Sequence, residues 1–238
     1  MNTQSINEEN TFNKNKDIYM NIHGKKVYSI STSIDDRIEF QNQLGITKKD
    51  LDNDEYNFIK LYTYEGYNII NHYFRKLTRL SDSEKESLKN KCEETWSKFK
   101  SQYDYIPFDN ALKASETICN KGKILNEDLI VFRRQETPLK SYADNDIYHC
   151  DSFLSASLYS NRDEFGEYLE YILIPKGKRI LYISDISSNN NESEVLLTKN
   201  IDLKIIEEKS KYVTHWKMIW KLYIHDNYKI IIIHFKEI

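Results

Sequence analysis

The spacing of apolar residues changes once along this chain, between Gly122 and Leu125, and that change restricts the fold more than any other feature. Upstream of it the spacing is helical. Ile34, Ile38, Phe40 and Leu44 recur at near-helical intervals before Gly45, which is suited to a helix C-terminus. Thr47, with Asp50 three residues on, reads as a capping box opening a second helix that carries Phe58, Leu61 and Tyr62 on one face. Gly66 then interrupts, and Ile69, Ile70, Tyr73, Phe74 and Leu77 form an amphipathic helix with Arg75, Lys76 and Arg79 near its end. Ser81 with Glu84 opens a charged helix to about Phe99, whose buried stripe is Leu88, Cys92, Trp96 and Phe99. A short helix from about Asp109 to Cys119 places Ala111, Leu112, Ser115 and Ile118 inward.

Downstream the pattern is that of strands. Leu129-Ile130-Val131-Phe132 is a continuous apolar run, as expected of a strand covered on both faces. Further strands are predicted over residues 153–158, 169–174, 180–183, 194–197, 203–206 and 229–235, with Pro175-Lys176-Gly177 as a turn. Helices first and strands after predict an α+β fold, N-terminal helices packed on a mainly antiparallel sheet or β-sandwich. There is no internal repeat and no Gly/Ser or Pro linker. Residues 1–16 therefore read as a polar extension and residues 17–238 as a single domain, helical over about 34–122 and strand-rich over about 125–238.

Charge and cysteine usage exclude several functions. With 34 basic and 37 acidic residues the formal charge is −3, which offers no electrostatic footprint for nucleic acid or a membrane surface. The three cysteines, Cys92, Cys119 and Cys150, have no CxxC spacing, and the six histidines fall singly, so no metal site is expected. His149-Cys150 is disfavoured as a base and thiol pair because neighbours on an extended chain point apart. Residues 1–20 lack an apolar stretch of the secretory type and no run reaches membrane-span length. The expectation is a protein made soluble in the cytoplasm, with delivery to a host cell by another route left open.

Three short motifs carry candidate chemistry. Arg133 and Arg134 end the apolar run 129–132, where a guanidinium can hold a phosphate or carboxylate or pair with a structural acid. Ser155 and Ser157 put two hydroxyls on one face of a strand, able to orient a carboxylate or a ligand, or simply to be strand serines. Glu192 and Glu194 follow a polar turn over 187–191. On an extended segment they would share a face, where mutual repulsion must be relieved by partners or by protonation. Two solvated loop glutamates are the other reading.

Taken together, Arg, Ser-x-Ser and Glu-x-Glu in that order resemble the arginine-specific mono-ADP-ribosyltransferases, the R-S-E class of NAD-using toxins. The similarity runs from about Asp52 to Ile206. Tyr62, Gly66, Tyr67 and Asn71 resemble the helix-turn-helix that opens these domains, and Leu129 to Arg134 looks like the arginine strand of the actin-modifying binary-toxin enzyme components. Ile174 to Gly177, Tyr182 to Ser184 and Glu194 to Leu197 resemble the segment through the target-recognition loop. Ala156 stands in place of the middle Thr of the usual Ser-Thr-Ser.

The resemblance implies an ADP-ribosyltransferase fold, NAD as substrate without a metal, and transfer of ADP-ribose to an arginine of a target protein, actin being a candidate. It implies that Arg133 and Arg134 hold the NAD phosphates or ribose, and that Ser155 and Ser157 bond the nicotinamide ribose and position Glu194. Tyr62, Tyr67 and Asn71 would wall the adenine and phosphate end, and Phe165 would lie near nicotinamide. Glu194 would stabilise the ribosyl cation and Glu192 would engage the acceptor. An NAD glycohydrolase without a protein acceptor and a non-catalytic binding module of the same fold remain as alternatives.

Overall fold

In the computed structural model, residues 18–22, 25–29, 34–102, 104–158, 168–188, 193–219 and 222–235 are described. They begin with an antiparallel strand pair, β1 (Ile18–Ile22) and β2 (Lys25–Ser29), followed by α1 (Ile34–Leu44). The capping box at Thr47 forms, with the Thr47 N–H donating to Asp50 Oδ2 at 2.8 Å, but it closes a single 3-10 turn, Lys48–Asp50. Leu51 is extended and ends that turn. The longer helix α2 (Asn53–Leu61) starts instead from a second capping box. There Glu55 N–H donates to Asp52 Oδ1 at 2.8 Å and Asp52 N–H to Glu55 Oε2 at 3.0 Å.

Gly66 does not break the helix, contrary to what its poor helix propensity suggests. A π turn over Tyr62–Gly66 carries α2 directly into α3 (Tyr67–Leu77), with the Tyr67 N–H reaching back to the Tyr62 carbonyl. Glycine is required there for space, its φ of −64° being helical. A Cβ would stand 2.7 Å from the Leu61 carbonyl oxygen and 2.8 Å from Trp96 Cζ3. The helices α4 (Asp82–Trp96) and α5 (Phe108–Thr117) complete the first half. The Ser81–Glu84 capping box forms as expected. In α5, Ala114 takes an inward position with Ala111 and Ser115, while Leu112 is half-buried.

The strand half comprises β3 (Lys123–Ile124), β4 (Leu129–Gln135), β5 (Ile147–Cys150), β6 (Leu154–Ser157), β7 (Tyr168–Ile174), β8 (Arg179–Tyr182), β9 (Glu194–Leu197), β10 (Ile201–Ile219) and β11 (Leu222–Phe235). They are ordered β3-β8-β9-β6-β4-β7-β11-β10-β5, with β2 joining β4 at Tyr28↔Leu129. Pairing is antiparallel except at β7–β11 and β2–β4. The short strand β5 has no counterpart among the predicted elements, and β10 and β11 run well past the predicted 203–206 and 229–235.

Two cores hold this arrangement. Leu129 and Val131 of β4, Ala156 of β6, Ile172 of β7, Tyr182 of β8, Val195 and Leu197 of β9, and Leu203 of β10 pack together, so the sheet coils around one interior. Phe58, Tyr62, Ile70, Trp96 and Phe108 of the helices pack on Phe153, Leu181 and Leu196 from the other side of the same sheet. Strand β9 is thus covered on both faces and all four of its residues are buried. The β4–β7 seam is registered over seven pairs, whereas β4 meets β6 at Phe132↔Ser157.

Gly66→Ala should force the added methyl against the helix backbone and the Trp96 ring, costing about 1–3 kcal/mol, the range for overpacking a dense interior. Urea unfolding measures this, and an unchanged midpoint would show that the π turn relaxes without loss.

Candidate active site

Glu194 is the first residue of β9, and its partner across the seam is Ser157 of β6. Only 6% of Glu194 is exposed, and a carboxylate so placed needs hydrogen bonds. Ser155 Oγ donates to Oε1 at 2.7 Å and Ser187 Oγ to Oε2 at 3.3 Å. Ser187 is not among the residues that the sequence singles out. It lies in the polar turn before the acids, and nothing in its sequence context separates it from its neighbours.

That turn is fastened to the helices. Ser188 N–H donates to Thr63 Oγ1 at 2.8 Å and Ser188 Oγ to the Lys60 carbonyl at 2.7 Å, and Lys60 Nζ reaches the Ser187 carbonyl at 3.5 Å. At its base, Ile183 N–H donates to the Glu194 carbonyl at 3.1 Å. Ser193 has φ of +46°, in the left-handed region. Ser193, the residue between the two acids, is therefore not extended. Glu192 itself, like Phe165, lies outside the described residues.

Arg133 and Arg134 leave β4 on opposite faces, Arg133 registered with Glu170 and Arg134 with Leu169 of β7. Arg133 nevertheless reaches across to β6, where Nη1 donates to the Ser155 carbonyl at 2.6 Å. Its Nε donates to Gln135 Oε1 at 3.0 Å. Phe132, Arg133, Arg134, Ser155, Ala156, Ser157 and Glu194 line one open cavity of about 100 Å³. Sites that enclose a whole drug-sized ligand run to several hundred Å³, so this cavity is too small to enclose one.

Tyr62, Tyr67 and Asn71 lie together in the helical layer. Tyr62 is buried between Phe58 and Phe153, with ring centroids 5.6 Å from each. Asn71 Nδ2 donates to its hydroxyl at 3.1 Å. Burial raises the Tyr62 pKa above the ordinary phenol value, the Asn71 bond opposing, with Glu194 nearby adding to the rise. Tyr67 packs edge-on against Tyr62 and is 45% exposed. Further along α3, exposed Arg75 donates from Nε to the fully buried Ser152 Oγ at 3.1 Å, a contact that sequence spacing alone could not find.

Cys150 is buried and its thiol is pushed up to about 11 by that burial, so it is not a nucleophile at neutral pH. His149 points away, exposed, with Nδ1 2.7 Å from Asp202 Oδ1. Among the described residues no group of histidines, cysteines or acids has metal-site geometry, and no helix is long and apolar enough to cross a membrane.

The fold is thus helices followed by a mainly antiparallel coiled sheet, with an acid, two serines and two arginines lining one cavity. The sequence profile described as ADP-ribosyltransferase exoenzyme matches residues 38–234, and the chain belongs to that family. No curated protein sequence matches significantly. Among solved structures, an ADP-ribosyltransferase of the C3 type from Clostridium botulinum is similar at 16% identity and a TM-score of 0.55, over 87% of this chain and 98% of that one. The enzymatic component of the C2 toxin from the same organism is similar at 16% identity and a TM-score of 0.58, over 93% of this chain and 55% of that one. The C3 exoenzyme of Clostridium limosum is similar at 17% identity and a TM-score of 0.53, over 87% of this chain and 97% of that one. At these identities the likeness is one of fold. NAD is the substrate of this toxin family, and a fold relative from S. aureus is solved with NAD bound.

Glu170 of β7 is fully buried and has its pKa raised to about 7, burial outweighing the Leu139 N–H, the Arg133 charge and the Gln135 amide, all of which lower it. Its folded pKa exceeds the ordinary 4.5, so its contribution to stability is fully present below about 4.5 and is lost as pH rises to about 7. Glu170→Gln removes that loss. The difference in unfolding free energy between variant and wild type should move in the variant's favour across this window. A difference constant with pH would show that Glu170 ionises normally.

Proposed function

We propose that this chain moves ADP-ribose from NAD to the guanidinium of an arginine on a target protein, releasing nicotinamide. The observation that carries the reading is the buried Glu194 carboxylate, held by Ser155 and Ser187 at the wall of a cavity that Arg133 and Arg134 also line. Family membership supplies the donor, since NAD is its ADP-ribose source.

Breaking the bond between nicotinamide and ribose develops oxocarbenium character at the anomeric carbon, as in glycoside cleavage. A carboxylate fixed beside the ribose stabilises that charge without reorganising, and Glu194 is so fixed by its two hydroxyl donors. The cavity has room for a group such as the ribose, with the rest of the dinucleotide extending beyond it. The arginines are suited to the diphosphate. Arg134 shares the face of the serine hydroxyls, and Arg133 is oriented at the seam by the Ser155 carbonyl. The helical layer with Tyr67 and Asn71 supplies a wall for the adenine end.

A protonated guanidinium is a poor nucleophile because its pKa is above about 12. An acid must orient it and take the proton as the new carbon–nitrogen bond forms, and Glu192 is assigned that role. A glutamate at this position, rather than a glutamine, favours an arginine acceptor over an amide. Actin is the candidate target on the strength of the paired arginines Arg133 and Arg134.

The test uses purified chain with NAD, with and without agmatine as a free guanidinium acceptor. Glu194→Gln should lower both NAD hydrolysis and ADP-ribosyl-agmatine formation by about 10²–10³-fold, the scale for a lost electrostatic stabiliser. Glu192→Gln should lose the agmatine adduct while keeping NAD hydrolysis. Hydrolysis without any adduct from the wild-type chain would favour the glycohydrolase reading, and NAD left intact would favour a binding module.

A further inference from the structure

Glu170 is a carboxylate in an otherwise apolar, buried stretch of β7, and both its oxygens face N–H donors. Leu139 N–H donates to Oε1 at 2.6 Å and Gln135 Nε2 to Oε2 at 2.8 Å. At about pH 8, above its raised pKa, the Glu170 carboxylate is ionised and can only accept. It therefore dictates which end of the Gln135 amide it meets, and the amide must turn its Nε2 to Glu170. The Oε1 is then left facing the other way, where it accepts from Arg133 Nε at 3.0 Å.

We propose that Glu170, acting through the Gln135 amide, is the positioning residue that fixes the orientation of Arg133 for NAD. The inference rests on the reading of the cavity as an NAD site. Arg133 is registered directly opposite Glu170, yet the link between them runs through the amide rather than through a direct ion pair. With Nε committed to Gln135 and Nη1 to the Ser155 carbonyl, the guanidinium plane is set by two bonds, and the remaining N–H groups of the fork are oriented with it. A buried acid used for packing alone would be replaced without loss by an apolar side chain. An acid used to polarise an amide would not.

The chemistry separates a positioning role from a structural one. In Glu170→Gln the new side chain has one accepting oxygen and one donating nitrogen, so it cannot accept from both Leu139 and Gln135. Relief of that conflict turns the Gln135 amide over and confronts Arg133 Nε with a donor. The same substitution removes a buried ionisable group, so at about pH 8 it should not lower stability. NAD affinity and stability are thus expected to part.

Wild type, Glu170→Gln, Gln135→Leu and the double variant are compared at about pH 8, where Glu170 is ionised, by calorimetric titration with NAD, by NAD-hydrolysis kinetics and by urea unfolding. Each single variant should bind NAD about tenfold more weakly, the scale of one hydrogen bond to a charged group. KM should rise with it while kcat changes by less than about twofold, and the double variant should be no weaker than either single. Half-buried Gln135 carries the test if Glu170→Gln does not fold. Wild-type affinity in either variant, additive losses in the double, or losses that follow unfolding stability would overturn the inference while leaving the NAD site intact. A wild-type chain that does not bind NAD would instead remove the functional reading, and the inference with it.

Discussion

A carboxylate at the end of a strand covered on both faces is costly, and the geometry of the site follows from meeting that cost. Glu194 begins β9, whose Val195 and Leu197 enter the interior of the coiled sheet while Leu196 packs under the helices. With water largely excluded, the two carboxylate oxygens need protein donors, and Ser155 and Ser187 supply them. Ser155 comes from the paired strand and Ser187 from the preceding turn. The acid is therefore held from two directions, by hydroxyls carried on the paired strand and on the turn that precedes β9.

The helical layer contributes more than cover. Its π turn exposes Thr63 Oγ1 to the Ser188 N–H, and the end of α2 offers the Lys60 carbonyl to the Ser188 hydroxyl. These bonds tie the turn that carries Ser187 to the helix pair that carries Tyr62, Tyr67 and Asn71. Displacing α2 from α3 would thus reach Glu194 through Ser188 and Ser187. On the other side of the cavity, Arg133 donates to the carbonyl of the same Ser155 whose hydroxyl serves Glu194. One serine links the two charged groups.

Much of this is legible in the order of residues alone. The helix-to-strand change, the Ser81 capping box, the strand from Glu194 to Leu197 and the burial of residues 129–132 are local properties of period and composition, and the fold contains each of them. The start of α2 is ambiguous in sequence because Thr47 and Asp50 satisfy the same local capping pattern as Asp52 and Glu55, and only the extended Leu51 separates the two. Gly66 looks like a break because glycine is a poor helix former. Its constraint is space, a Cβ there meeting the Leu61 carbonyl and also the Trp96 ring, thirty residues away in sequence.

By itself the sequence determined which residues are available, their order and their periodicity, because helix and strand preferences act between near neighbours. That was sufficient for the α+β class and for singling out Arg133, Arg134, Ser155, Ser157 and Glu194. Tertiary structure alone decided that Arg133 reaches across to the Ser155 carbonyl and that Glu170 joins the polar framework through Gln135. Each of those outcomes depends on strand register or on contacts spanning tens of residues, and the free energy of a buried polar group is fixed by whichever donors arrive from the far side of the fold.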